Sequence, residues 1–273
     1  MSAAPATAIK SQVDQQSWDA VKRFMLRHCG VVLSDEQSYL LEPRLSPVAK
    51  QYCFTTTAEL VSAACSSPPT AKLGMALIDA MTTHETMFFR DPAFWKTLEK
   101  TVLPELLAGN RGGLRIWSAA CSTGQEAYSM AMLLDECFPQ HFASATIFAN
   151  DVSELTVQKA RSGIFTTLEV NRGLGAVRLQ RHFQQAPGGF QIAERLRSRI
   201  AWSTQNLLGV TSGVSDCDLV LCRNVLIYFG ELDRATVIKQ LYQCARPKGV
   251  VGVGSTESIR DAKALAPGLY IKA

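Results

Sequence analysis

Apolar and polar positions change rhythm once along this chain, near residue 114. Before that point the period is helical. Trp18, Val21, Met25 and Cys29 fall on one face of a helix starting at Ser17, and Gly30 is placed to end it. Ser34-Asp35-Glu36-Gln37 has the form of a capping box and predicts a second helix through Tyr39, Leu40 and Leu41. A third helix is expected from Thr57, broken by Pro68-Pro69, and a fourth from Ala71 to Thr83 with Leu73, Leu77 and Met81 on one face. Asp91-Pro92 then opens a helix carrying Phe94, Trp95, Leu98, Val102 and Leu106.

From Leu114 strands and helices alternate. Strands are predicted at 114–118, 145–149, 218–222, 250–253 and 269–271, with helices at 125–138, 153–161 and 231–245. Asp218-Leu219-Val220-Leu221-Cys222 is of the fully buried kind. Such alternation predicts a mainly parallel sheet covered by helices. Residues 171–200 interrupt it. Ala186-Pro187-Gly188-Gly189 reads as a turn, with Phe190-Gln191-Ile192 and Ile200-Ala201-Trp202 as short strands of a small antiparallel flap. The expected organisation is a loose tail (1–16), an all-helical N-terminal domain (17–90), a linker helix and loop (91–112) and an α/β domain (113–273) with an insertion at about 171–202.

Composition narrows the function classes. Of 273 residues 47% are apolar and 19% charged, which excludes wholesale disorder. Eight cysteines without a C-x-x-C pair, and four scattered histidines, argue against a disulfide framework or a metal site. No signal-peptide pattern and no apolar run of membrane-spanning length is visible, so a cytoplasmic location without membrane insertion is expected. Residues 1–90 carry eight basic and eight acidic side chains. The excess of +4 traces to 172–199, where Arg172, Arg178, Arg181, Arg195, Arg197 and Arg199 face only Glu194. That stretch is either a surface for an acidic partner or a solvated basic face.

In an open α/β sheet, ligands bind outside the carboxyl ends of the strands. Four segments fall there. Ser118-Ala119-Ala120-Cys121-Ser122-Thr123-Gly124-Gln125-Glu126 lets backbone approach a ligand at a helix start, or is an ordinary tight turn; it is neither a dinucleotide fingerprint nor a P-loop. Asp151 could accept ribose hydroxyls or merely cap a helix. Asn206-Leu207-Leu208 follows the insertion, and Arg223-Asn224-Val225-Leu226-Ile227-Tyr228-Phe229 suits an active-site wall. Thr82-Thr83-His84-Glu85-Thr86-Met87-Phe88-Phe89-Arg90-Asp91 precedes the sheet; Arg90, beside two aromatics, is a site residue or half of a structural ion pair.

Together these segments resemble the CheR-type chemotaxis receptor glutamate O-methyltransferases. Thr82 to Arg90 is similar to that family's T-T-N-E-T-x-F-F-R element, and Trp117 to Met132 to its W-S-A-A-C-S-T-G-E-E-P-Y-S-L-A-M stretch. Ala149 to Phe165, Cys222 to Phe229 and Pro247 to Ser258 match further family motifs, in order. The resemblance implies a class I, Rossmann-like methyltransferase fold using S-adenosylmethionine, with S-adenosylhomocysteine as product. It implies an N-terminal helical domain and a small antiparallel β-subdomain that docks on chemoreceptor cytoplasmic helices, where the six arginines would meet Glu-rich surfaces. Carried over by position, His84, Thr86, Arg90, Glu126, Asp151, Asn206, Leu207, Arg223 and Asn224 would line the cofactor site, with Arg90 and Tyr228 nearest the transferred methyl group. His84 stands where the family usually has Asn, Gln125 for Glu, Ala127 for Pro and Asn150 for Thr. The turn at Gln184 to Gly189 is short, whereas family members that tether to a receptor C-terminal pentapeptide carry a longer loop, so a pentapeptide-independent enzyme is expected. A monomer is the expected state. Two rivals remain: a non-catalytic module that binds S-adenosylmethionine and docks on receptors, favoured by His84, and an RNA methyltransferase, for which Cys222 would be the nucleophile, although nucleic acid is not an expected partner.

Overall fold

A computed structural model describes residues 14–108, 112–209 and 213–272. The chain forms two compact units: residues 14–28 with 32–81, and residues 29–31 with 82–272. Most of the expected tail, up to residue 13, lies outside the described residues, and Gln15 and Gln16 are already helical. The first unit is helical throughout. Its helices are α1 (Gln15–Cys29), α2 (Leu41–Gln51), α3 (Thr57–Cys65) and α4 (Lys72–Met81). Trp18, Val21, Met25, Leu41, Leu45, Leu60 and Leu77 are almost wholly buried, as their spacing requires. The Ser34 motif opens a 3₁₀ helix, Asp35–Leu40, not the expected α-helix. Pro43 has no N–H to give to Tyr39, so the regular ladder restarts at Leu41 with proline in the first turn.

The second unit begins at Thr82, earlier than the expected boundary at 90. Its first helices are α5 (Pro92–Thr97) and α6 (Leu103–Ala108), joined by a π-helical turn, Leu98–Val102. These residues are not a linker. Phe94, Trp95, Leu98, Val102, Leu103 and Leu106 are buried in the same core as Ile116 and Leu219.

The main sheet has seven strands: β1 (Arg115–Ala119), β2 (Thr146–Asp151), β6 (Ile200–Thr204), β7 (Cys217–Cys222), β8 (Ala245–Val253), β9 (Lys263–Ala266) and β10 (Leu269–Ile271). Their order is β6-β2-β1-β7-β8-β10-β9, parallel through β8, with β10 and β9 antiparallel. The helices of this unit continue as α7 (Gln125–Cys137), α8 (Pro139–Phe142), α9 (Glu154–Ser162), α10 (Thr167–Asn171), α11 (Ala176–His182), α12 (Glu194–Arg197) and α13 (Glu231–Cys244). Alternate residues of each strand serve opposite faces. Ile116, Leu219 and Leu221 join the core with α5 to α7, while Trp117, Val220 and Cys222 pack with Val237 and Leu241 of α13. Because β1 pairs with both β2 and β7, the strand order reverses there, and the cleft for a ligand opens at their carboxyl ends.

The inserted sheet differs from expectation in its members. It consists of β3 (Ile164–Phe165), β4 (Phe183–Ala186) and β5 (Gly189–Ile192), so it starts at 164, not 171. Ile200-Ala201-Trp202 is not part of it: this strand is β6, paired in parallel with β2 at the main sheet's edge. The short β2-facing run of apolar residues could not be told from a flap strand by pattern alone.

Candidate functional site

Residues 84–91 and the segments after β1, β2, β6, β7 and β8 converge at the carboxyl end of the sheet. Among the described residues nine non-glycine residues have positive φ, and five lie here: Phe89, Asp91, Ala120, Ser122 and Asn224. Backbone held in this region is costly and clusters at functional sites.

Arg223, at the end of β7, is the hub. Its side chain is 2% exposed and bonds three neighbours: Asp91 Oδ2 at 2.7 Å, Glu126 Oε2 at 3.3 Å and the Arg90 carbonyl at 2.9 Å. Its guanidinium also lies 4.1 Å from the centroid of the Phe94 ring. Glu126, in the first turn of α7, accepts the Ser118 hydroxyl at 2.8 Å. Burial pushes the Glu126 carboxyl above its usual range, against the pull of Arg223 and the Ser118 hydroxyl. The Arg90 carbonyl also accepts the Trp95 indole N–H at 2.9 Å, and the Arg90 guanidinium donates to the Glu85 carbonyl at 3.2 Å. The structure therefore joins Arg90, Glu126 and Arg223 directly.

Ser122 joins another pair: its hydroxyl donates to the His84 carbonyl and its amide to Asp151 Oδ2 at 2.8 Å. Asp151 Oδ1 accepts the Ser153 amide at 3.0 Å. Both carboxylate oxygens thus hold backbone, and the Val152 amide adds to them. Burial raises the Asp151 carboxyl above its usual range despite the Ser153 and Ser122 amides. Asn206 and Leu207 follow because the Gln205 amide donates to the Asp151 carbonyl at 2.9 Å. The Asn206 side chain accepts the Leu208 amide, and Leu207 is buried. Asn150 ties two segments together. Its side chain accepts the Trp117 indole N–H at 2.6 Å and donates to the Gln205 carbonyl at 3.1 Å, bracing β2 against the next loop.

Asn224 is positioned by a residue the sequence reading missed. Glu257 is 8% exposed and accepts the backbone amides of Asn224 (2.8 Å), Gly254 (2.6 Å) and Ile227 (3.3 Å). An acid following the apolar run 250–253 was the available signal. Ser122, Ser129 and Asp91 were not among the expected site residues: Ser122 and Asp91 precede α7 and α5 and Ser129 lies within α7, where a short polar residue carries no distinguishing pattern. Thr86 and Tyr228 are half-buried, Tyr228 on the 3₁₀ turn Leu226–Tyr228 after β7, and neither is tied into these networks by a hydrogen bond given above.

The arginine stretch does not form the free basic face its sequence suggests. Acids from elsewhere reach it. Arg172 pairs with Glu85, Arg178 with Glu136, Arg181 and Arg195 share Asp135, and Arg197 pairs with Glu194. Arg199 donates to the Ala143 carbonyl at 2.7 Å. The local excess of +5 is therefore reduced by Glu85, Glu136 and Asp135, which a count within the segment cannot see.

The site also has the features S-adenosylmethionine needs. Asn224 Oδ1 and Arg223 Nε are buried without a partner at the end of β7, an acceptor and a donor left for a ligand. Asp91, Glu126 and Asp151 place three carboxylates there, the first two paired with Arg223. Fold and site define a class I methyltransferase that uses S-adenosylmethionine.

Comparison with known proteins agrees. The model of the CheR methyltransferase, SAM binding domain, matches residues 84–268. Chemotaxis protein methyltransferase 1 of Pseudomonas aeruginosa is 36% identical over 87% of this chain and 88% of its own length. The chemotaxis protein methyltransferase of Vibrio anguillarum is 34% identical over 90% of both chains, and chemotaxis protein methyltransferase 1 of Vibrio cholerae matches to the same extent. The chain belongs to the CheR methyltransferase family. No helix among the described residues is long and apolar enough to cross a membrane.

Proposed function

We propose that the protein methylates glutamate side-chain carboxylates on chemoreceptor cytoplasmic helices, forming methyl esters. The observation that carries this reading is the Arg90–Arg223–Glu126 network at the carboxyl ends of β1 and β7. It places a cation beside buried acids where an anionic acceptor and a cationic donor must meet. S-adenosylmethionine, when bound, supplies an electrophilic methyl group on a sulfonium. His84, Thr86, Glu126, Asp151, Asn206, Leu207, Arg223 and Asn224 would hold it, with Asp151 accepting from the ribose.

Arg90 and Tyr228 stand nearest the transferred methyl group in this reading. A glutamate carboxylate, with pKa about 4.3, is already ionised at neutral pH, so no general base is required. Arg90 orients the acceptor oxygen, and the aromatic wall of Phe89, Phe94 and Trp95 keeps water from the approach; the rate enhancement is one of alignment. Cys222 does not suit the rival chemistry of RNA methylation. It is fully buried, and that burial, with Glu257 and Glu126 nearby, holds its thiol well above the usual range.

Receptor contact would run through the exposed members of the arginine stretch, Arg181 and Arg195 foremost, since they share one acid, with Arg172, Arg178, Arg197 and Arg199 behind them. The two-residue loop Pro187-Gly188 between β4 and β5 supports independence from a receptor pentapeptide. The test is incubation with methyl-labelled S-adenosylmethionine and chemoreceptor-bearing membranes, followed by mild alkali. Release of label as methanol supports the ester. S-adenosylmethionine binding with no label on any of a panel of receptors favours the non-catalytic module.

A further inference from the structure

Arg90 follows a residue that is held in an unusual way. Phe89 has φ of 49° and is 6% exposed. A bulky residue adopts this left-handed conformation only when its surroundings impose it. Two contacts do so. The Phe89 amide donates to the Ser129 hydroxyl of α7 at 2.9 Å, and the guanidinium of Arg178 in α11 stacks 3.7 Å from the Phe89 ring centroid. Arg178 is itself fixed by Glu136, at the end of α7, through three bonds of 2.9 to 3.1 Å. Glu136 accepts a further bond from Nε2 of fully buried His182, at 2.7 Å. Arg195 can only donate, and its contact with His182 Nδ1 at 3.0 Å makes that nitrogen the acceptor, so Nε2 carries the proton and donates to Glu136.

We infer that Arg178, locked by Glu136 and His182, is a positioning residue for methyl transfer: it holds Phe89 in its strained conformation and thereby sets the direction of Arg90. This rests on the reading of Arg90 as the residue that orients the acceptor. The Arg90 carbonyl is pinned by Arg223 and Trp95, and the Trp95 ring meets the Phe89 ring edge-on at 5.3 Å, so Ser129 and Arg178 complete the grip on the residue before Arg90. The guanidinium of Arg90 has one bond to the Glu85 carbonyl, so its direction depends on backbone held from Phe89. A surface ion pair between α7 and α11 would need no ring beneath the guanidinium; the stack over Phe89 is what links that pair to the site.

The experiment compares Arg178→Met, Arg178→Lys and Phe89→Leu in the full chain, each alone and with Arg90→Ala. The readouts are methyl transfer to chemoreceptor-bearing membranes, S-adenosylmethionine affinity by calorimetry, and hydrogen exchange of the 85–91 segment. Arg178→Met is expected to lower kcat by about tenfold or more, a modest misplacement of a positioning group, with cofactor affinity within about twofold. Exchange at 85–91 should rise while β1 and β7 amides stay protected. Arg178→Lys, which keeps charge but not the planar fork, should recover only part of the rate. In the Arg90→Ala background neither Arg178→Met nor Phe89→Leu should lower the rate further. If Arg178→Met loses stability broadly, Phe89→Leu carries the test, since it removes the stacked ring and leaves the ion pair. Normal kcat in Phe89→Leu and Arg178→Lys, or losses that add fully to Arg90→Ala, would overturn the inference. Full turnover by Arg90→Ala itself would instead overturn the reading of Arg90.

Discussion

Replacing Arg223 by Met should expose how the site balances its buried charge. The side chain is 2% exposed, and its nearest carboxylates are 2.7 Å (Asp91) and 3.3 Å (Glu126) away. At an effective dielectric of about 20, the Glu126 contact alone corresponds to about 5 kcal/mol of attraction. The Glu126 side chain is only 13% exposed, so water replaces the lost partner poorly, and breaking this pair should cost about 3–5 kcal/mol at neutral pH. Asp91 is more exposed and can be rehydrated, and the Met stem keeps most of the packing on Phe94. The loss should depend on pH. Burial already raises the Glu126 carboxyl above its usual 4.5, and Arg223 restrains that rise. A group whose folded pKa is raised makes the folded state bind more protons, so stability falls as pH climbs from the usual value through the raised one. Without Arg223 that fall should be deeper and should extend to higher pH. Glu126→Gln in the Arg223→Met background should recover about 1 kcal/mol or more at neutral pH, because the uncompensated charge is gone. Native-state hydrogen exchange of β1 and β7 amides at pH 5 and pH 7 measures each quantity in the sheet unit. A loss under about 1 kcal/mol with no pH dependence, or a double variant no better than Arg223→Met, would refute the reasoning.

Other perturbations test separate parts. Asp151→Asn should weaken S-adenosylmethionine by about 1.5–3 kcal/mol for each charge-assisted bond lost, and unchanged calorimetric affinity would remove Asp151 from the site. Burial works to raise the Glu136 carboxyl, but the bonds from His182 and Arg178 outweigh it and hold it at about 2. Its stabilising contribution is therefore present above 4.5 and lost as pH falls toward about 2, and acid titration of Glu136→Gln should lack that limb. Gly173 has φ of 85°, and a Cβ there would lie 2.0 Å from the Phe88 carbonyl oxygen. Gly173→Ala should cost more than about 1 kcal/mol in thermal or urea unfolding and disturb the segment leading to Arg90; a neutral effect would contradict the packing described. Receptor association should weaken with salt, and less steeply than six free arginines would give, because most are paired within the chain.

Much of the architecture was legible because strand and helix periods differ. The buried run at 217–222 and the helices facing it follow from alternation alone, and Asp151, Arg223 and Asn224 fall at strand ends, where a parallel sheet puts its ligand. The errors have physical causes. Residues 82–108 pattern as helix and loop, and only tertiary contact shows that Phe94, Trp95 and Leu98 belong to the sheet's core. Ile200-Ala201-Trp202 has the composition of a flap strand, and its pairing with β2 is non-local. The basic stretch is partly neutralised by Glu85, Asp135 and Glu136, which lie far from it in sequence. Glu257 lies within the Pro247 to Ser258 match, but its role was not legible: three backbone amides donate to its carboxylate, and backbone donors leave no side-chain motif.

Whether a glutamate carboxylate receives the methyl group is read by peptide mass spectrometry of a chemoreceptor cytoplasmic fragment after incubation with the enzyme and trideuteriomethyl S-adenosylmethionine. Deuteriomethyl ester is expected on glutamate side chains, lost on mild alkaline treatment and strongly reduced with Arg90→Ala. Label found on nitrogen, sulfur or nucleic acid, or ester formation undiminished in that variant, would contradict that expectation.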